Sequence, residues 1–84
     1  MNEQFCIRRK YSKQAEKFLA SQTIDTILRI KSAVEKLPAG DVKKMKGYKN
    51  LYRLRVGAFR ILFTQTPLQI TVDKIDNRGQ IYKR

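Results

Sequence analysis

The sequence predicts an α+β two-layer domain: an N-terminal strand, a helical hairpin, then a three- to four-stranded antiparallel sheet. Two observations carry this. Apolar residues recur at helical spacing from Lys13 to about Lys36, and after Asp41 the period shortens towards two. Length adds a bound, because 84 residues hold one core and so form a single domain over 1–84. With 42% hydrophobic residues in periodic arrangement, the fold is expected to stand on that core, without disulfides or a structural metal.

Taken in order, FCIR near the start is a β-favouring run with charged flanks and predicts a first strand over about residues 3 to 9. Ser12 is placed to cap a helix over 13–20, in which Ala15, Phe18 and Leu19 share one face. Ser21, Gln22 and Thr23 offer a second cap or a brief break. Beyond them Ile24, Ile27, Ile30, Val34 and Leu37 recur at steps of three and four, giving a second amphipathic helix to about Lys36, ended by Pro38, Ala39 and Gly40.

VKKMKGYKN then alternates loosely and predicts an edge strand or irregular approach, ended by Gly47 or by Lys49 and Asn50. LYRLRV alternates better, with Tyr52, Leu54 and Val56 on one face and Leu51, Arg53 and Arg55 on the other. Gly57-Ala58 has the length and the leading glycine of a type II′ turn. FRILFT returns with Phe59, Ile61 and Phe63 opposed to Arg60 and Leu62. Thr66-Pro67 turns again, and LQITVDKI is a third meander strand with Ile70 and Val72 on one face. NRGQIYKR is expected to close the chain as a loop and a short extended tail. The helices cover one sheet face, leaving Arg53 and Arg55 on the other, where Arg60 joins them if register allows.

Charge narrows the choice of partner. Nineteen Lys and Arg against seven acids give a net charge of +12, and self-repulsion on that scale is ordinarily offset by an anionic partner: nucleic acid, a ribosome, an acidic protein or an anionic membrane. The excess is larger in residues 41–84, with 11 cations and 3 acids, than in residues 1–40, with 8 and 4. The single Cys6 excludes an internal disulfide and reads as a reduced, strand-packed thiol. With no signal-like apolar run near the start and no run approaching a membrane span, the expected location is cytoplasmic, with no membrane partner.

Absent residue types exclude several chemistries. With no histidine and one cysteine there is no Ser-His-Asp or Cys-His arrangement and no zinc or iron site of the usual ligands. Neither GxxxxGK[ST] nor GxGxxG occurs, so no nucleotide or other small-molecule cofactor is expected, and seven scattered acids argue against a two-metal nuclease. Transesterification within RNA suits what remains. The ribose 2′-OH attacks its own 3′-phosphate, so the protein need only orient the chain, move protons and neutralise the transition state. Arginine forks donate bidentately to phosphate oxygens and stay charged, and a Tyr or Lys among such cations has its pKa pulled down towards usefulness as a base. The plainer alternative is that Arg53, Arg55 and Arg60 only solvate an exposed face or bind an acidic peptide.

Lys44-Met45-Lys46-Gly47, the run from Tyr52 through Arg53, Arg55, Gly57 and Arg60 to Phe63, and Arg78-Gly79-Gln80-Ile81-Tyr82 occur in an order that resembles the RelE/ParE superfamily of toxin-antitoxin toxins. The ordered set is specific, although no single motif is. The resemblance covers almost the whole chain, and it has two branches. RelE-like members are ribosome-dependent, metal-independent endoribonucleases that cut mRNA in the A site and inhibit translation, whereas ParE-like members inhibit DNA gyrase and lack the nuclease residues. The positions matched by Arg53, Arg55, Arg60 and Tyr82 keep the nuclease pattern.

What the resemblance implies is transition-state charge from Arg53, Arg55 and Arg60, with Tyr82 orienting a base and taking the 2′-OH proton. The sequence departs from the pattern twice. Arg55 stands where the best-known RelE toxins carry a lysine of base character, and the basic residue given an acid role falls near Asp76 or Asn77, so that Arg78 is its candidate replacement. Lys46, Lys74 and Asp76 are held in reserve for proton transfer. Lys43, Lys44, Lys46, Lys49 and Lys74 are expected to contact RNA phosphates, and Tyr48 either stacks on a base or packs in a loop. The expected partners are the ribosome with its mRNA and a cognate antitoxin whose wrapping segment is acidic. A gyrase inhibitor and a catalytically degenerate RNA- or antitoxin-binding module are the alternatives.

Overall fold

The computed structural model describes residues 7–77. Cys6, Arg78 and Tyr82 lie outside that range. The chain runs β1 (Arg8–Tyr11), α1 (Lys13–Ala20), α2 (Ile24–Glu35), β2 (Asp41–Lys44), β3 (Leu51–Val56), β4 (Phe59–Gln65) and β5 (Gln69–Asn77). The strands form one five-stranded sheet in the order β1-β5-β4-β3-β2. β2 to β5 are an antiparallel meander, and β1 adds to its far edge parallel to β5. The helical hairpin therefore carries the chain from one sheet edge to the other, across the face it covers.

Of the strand expected over about 3–9, residues 3–6 lie outside the described residues, while Arg8 and Arg9 belong to β1, which continues to Tyr11. The charged flank does not end it, since its charges find partners. Arg9 faces the helices and donates from Nε to the Val34 carbonyl at 2.9 Å and from Nη2 to the Leu37 carbonyl at 2.9 Å. A cation there satisfies carbonyls left free at the C-terminal end of α2.

Both helix starts follow from their caps. The Ser12 hydroxyl accepts from the Ala15 amide at 3.1 Å and donates to the Asp73 carbonyl at 2.8 Å, tying α1 to β5. The Thr23 hydroxyl accepts from the Thr26 amide at 3.2 Å, so Ser21 to Thr23 separate the two helices and Thr23 caps the second. Ala15, Leu19, Ile30, Val34 and Leu37 are buried against the sheet, and Phe18 meets Phe59 edge to face at 6.0 Å between ring centres.

The sheet supplies the rest of the core from alternate positions: Leu54 on β3, Phe59, Ile61 and Phe63 on β4, and Ile70, Val72 and Ile75 on β5. Tyr52 stacks on Phe63 with ring centres 5.5 Å apart. Gly57 takes φ of 58°, as the first position of the β3–β4 turn requires. β2 stops at Lys44, short of Gly47, and the chain turns over 46–50 before rejoining as β3. Between Leu62 and Phe63 the β4–β5 register slips: Leu62 pairs with Lys74 but Phe63 with Val72, leaving Asp73 as an extra residue on β5. That bulge lets Ile75 join Ile70 and Val72 in the core despite a three-residue step, and it turns Lys74 and Asp76 to the opposite face. No helix among the described residues is long and apolar enough to cross a membrane.

Candidate functional site

The sheet face away from the helices is organised by register into rows that cross the strands. One row reads Asp41, Arg55, Arg60, Asp76 from β2 to β5, and the next reads Lys43, Arg53, Leu62, Lys74. Because directly paired residues point to the same side, Arg53, Arg55 and Arg60 share the uncovered face. Two arginines stand opposite one another in the first row, an arrangement that costs stability and is moderated by the acids at its ends. Arg60 Nη2 lies 3.4 Å from Asp76 Oδ2, and Arg53 Nη2 lies 3.9 Å from Asp41 Oδ1. Both separations are long, so each acid restrains its arginine without saturating it.

Arg53 and Arg60 line a groove of about 550 Å³ together with Lys43, Lys44, Lys46, Met45 and Leu62. Five cations meet there over a floor of one methionine and one leucine. Arg53 is largely covered, with its side chain 18% exposed, whereas Arg60 is 39% exposed. The Nε atoms of both arginines are shielded from solvent and have no hydrogen-bond acceptor among the described residues. The five cations around the groove make an anionic oxygen there favourable. The position of Lys46 follows from the loop after β2, where the Met45 amide donates to the Leu51 carbonyl at 2.9 Å and Gly47 takes φ of 84°.

The other residues singled out in the sequence are dispersed around this groove. Arg55 is exposed on the same face but lines a separate cleft of about 390 Å³ with Arg29 and Lys36 of the α2 side. Lys49 lies in a third depression with Lys44, Lys46 and an exposed Tyr48, beside the groove and not in it. Lys74 is exposed one row from Arg60. Arg78 and Tyr82 fall outside the described residues. Sequence reasoning did not single out Arg29 or Lys36 as neighbours of Arg55, since in and just after a helix they look like ordinary solvated charges. It also left unread the pairing of Asp76 with Arg60, although the spacing of Ile70, Val72 and Ile75, two then three, carries the bulge that creates it.

Chemically the groove can grip a phosphodiester. Guanidinium forks bind two phosphate oxygens at once, and the lysines along β2 add less directional charge for a chain passing over the face.

No protein-family model matches the sequence, and no curated protein matches it. Solved structures do. The fold is similar to a chain of the RelB-RelE antitoxin-toxin complex from Methanococcus jannaschii, with a TM-score of 0.70 and 30% identity over 87% of this chain and 94% of that one. It is similar also to a chain of the archaeal RelE-RelB complex from Pyrococcus horikoshii OT3, with a TM-score of 0.71 and 28% identity over 88% and 97% of the two chains. A match of that extent agrees with the ordered motifs from Lys44 to Phe63, and the protein belongs to the RelE family of toxin-antitoxin toxins.

Proposed function

We propose that this toxin is a ribosome-dependent mRNA endoribonuclease that cleaves mRNA in the A site by 2′-OH transesterification and thereby inhibits translation. One observation carries the proposal: Arg53 and Arg60 converge on an uncovered groove flanked by Lys43, Lys44 and Lys46. The groove fits a phosphate held in place while its own ribose attacks. Arg53 and Arg60 stabilise the charge that develops on the non-bridging oxygens, and the lysines hold the strand. Arg55, with Arg29 and Lys36, extends the cationic track around the sheet edge. Arg78 and Tyr82 are proposed to complete the site from the C-terminal segment.

A cognate antitoxin is proposed as the regulating partner. The similar chains come from RelB-RelE complexes, and a +12 surface favours an acidic covering segment. The test adds purified protein to a translating ribosome system and maps mRNA ends. Cuts that recur with the codon period and vanish in Arg60→Ala are expected. Intact mRNA together with gyrase-dependent DNA breaks would transfer the protein to the ParE-like reading, and intact mRNA without them would leave a binding module.

A further inference from the structure

The two arginines of the groove described above suit a phosphate but not a proton, since guanidinium ions are poor bases, and the groove's lysines come from β2 and the loop after it, away from the Arg60–Asp76 pair on β4 and β5. The described acids of the uncovered face are Asp41, Asp73 and Asp76. Asp73 is engaged, because its carboxylate accepts from the Thr64 hydroxyl at 2.7 Å. Asp41 is on the edge strand, its side chain 60% exposed and 3.9 Å from Arg53. Asp76 differs from both. Its side chain is 20% exposed, it pairs across the strands with Arg60, and it reaches the uncovered face only because the Asp73 bulge reverses the alternation of β5.

We propose that Asp76 is the general base of the cleavage reaction, an assignment that rests on the nuclease reading above. In-line attack needs the 2′-oxygen about 3 Å from phosphorus, so the group that takes the 2′-proton must sit beside the group that grips the phosphate. Asp76 meets that condition, at 3.4 Å from Arg60 Nη2. The Asp76 carboxylate takes the 2′-proton as the bond from O2′ to phosphorus forms. The bond from phosphorus to O5′ breaks, and the departing 5′-oxygen is protonated by water or a neighbouring acid. The products are a 2′,3′-cyclic phosphate and a 5′-hydroxyl, with no change of oxidation state. Arg60 then has two tasks: it aligns the carboxylate before binding and the phosphate after it.

Single-turnover cleavage of mRNA on programmed ribosomes, with binding measured separately, tests this. Asp76→Asn keeps the shape and removes the base, and the chemical step is expected to fall about 10²- to 10⁴-fold with affinity within about threefold of wild type. Asp76→Glu retains a carboxylate and is expected to regain at least about tenfold over Asp76→Asn. A side chain that merely neutralises Arg60 gives the opposite pattern, tighter binding with an unchanged rate, and that result overturns the proposal. Thermal melts accompany both variants. If Asp76→Asn does not fold, Asp76→Ser takes its place with the same two outcomes: a slowed chemical step with affinity retained supports the base, and an unchanged rate overturns it. Wild-type protein that leaves mRNA whole would instead refute the nuclease reading itself.

Discussion

Replacing Arg60 by lysine separates charge from geometry in the groove. Lysine keeps a cation in reach of Asp76, but it loses the planar fork that donates two parallel hydrogen bonds to one phosphate. The Arg60–Asp76 contact is long, at 3.4 Å, and the arginine is 39% exposed, so its contribution to stability is at most about 1 kcal/mol and survives the exchange in part. On the proposed nuclease reading, the expected loss of cleavage rate is larger. One charge-assisted hydrogen bond is worth about 1.5–3 kcal/mol, which corresponds to roughly a 10- to 150-fold slower cleavage step. Single-turnover cleavage of programmed ribosomes and thermal unfolding, measured on the same preparation, give both numbers. The expected pattern is a slow enzyme with a melting temperature within a few degrees of wild type. Unchanged cleavage would show that Arg60 acts only as a point charge. A collapsed melting temperature would show that it belongs to the fold and not to the reaction.

Three further outcomes follow from the same structure. Combined replacement of Lys43, Lys44 and Lys46 by alanine should lower the slope of log affinity for single-stranded RNA against log salt by about 2, near 0.7 for each phosphate no longer neutralised, in a binding titration across salt concentrations. Ser12→Ala removes both the cap of α1 and its hydrogen bond to the Asp73 carbonyl, and should cost about 1–2 kcal/mol in a urea unfolding curve. Tyr11 is raised above its ordinary value of 10.0, chiefly by burial and further by Glu35, with Arg9 offsetting in part. Because the folded state holds that proton more tightly, the stabilisation is complete below the unfolded value and is lost as pH rises through the folded one. Unfolding midpoints above about pH 10 should therefore fall more steeply in wild type than in Tyr11→Phe.

The fold was legible where periodicity was strong. Ala15, Leu19, Ile30, Val34 and Leu37 declare two helical faces, and Leu54, Ile61 and Phe63 declare the buried side of the meander. The uncovered arginines followed from the same alternation, since a buried Leu54 leaves Arg53 and Arg55 nowhere else to point. Less legible were features decided by partners distant in the chain. Nothing local to Arg9 announces that its guanidinium will meet carbonyls more than twenty residues away, and without those hydrogen bonds the first strand reads as ending at its charges. The bulge at Asp73 is a matter of register, which a single strand does not specify. Pairing also decides that Arg53 and Arg60 share one groove while Arg55 lines another.

The chemistry of the cut ends tests the central claim most directly. Transesterification through the 2′-OH leaves a 2′,3′-cyclic phosphate on the upstream fragment and a 5′-hydroxyl on the downstream one, whereas hydrolysis that activates water at phosphorus leaves a 5′-phosphate and a 3′-hydroxyl. Fragments from ribosome-bound mRNA treated with the wild-type protein should ligate only by a route that requires a cyclic phosphate, and Arg53→Ala and Arg60→Ala should abolish them. Fragments bearing 5′-phosphates, or cyclic-phosphate ends that persist undiminished in both variants, would contradict an arginine-lined groove that cleaves RNA.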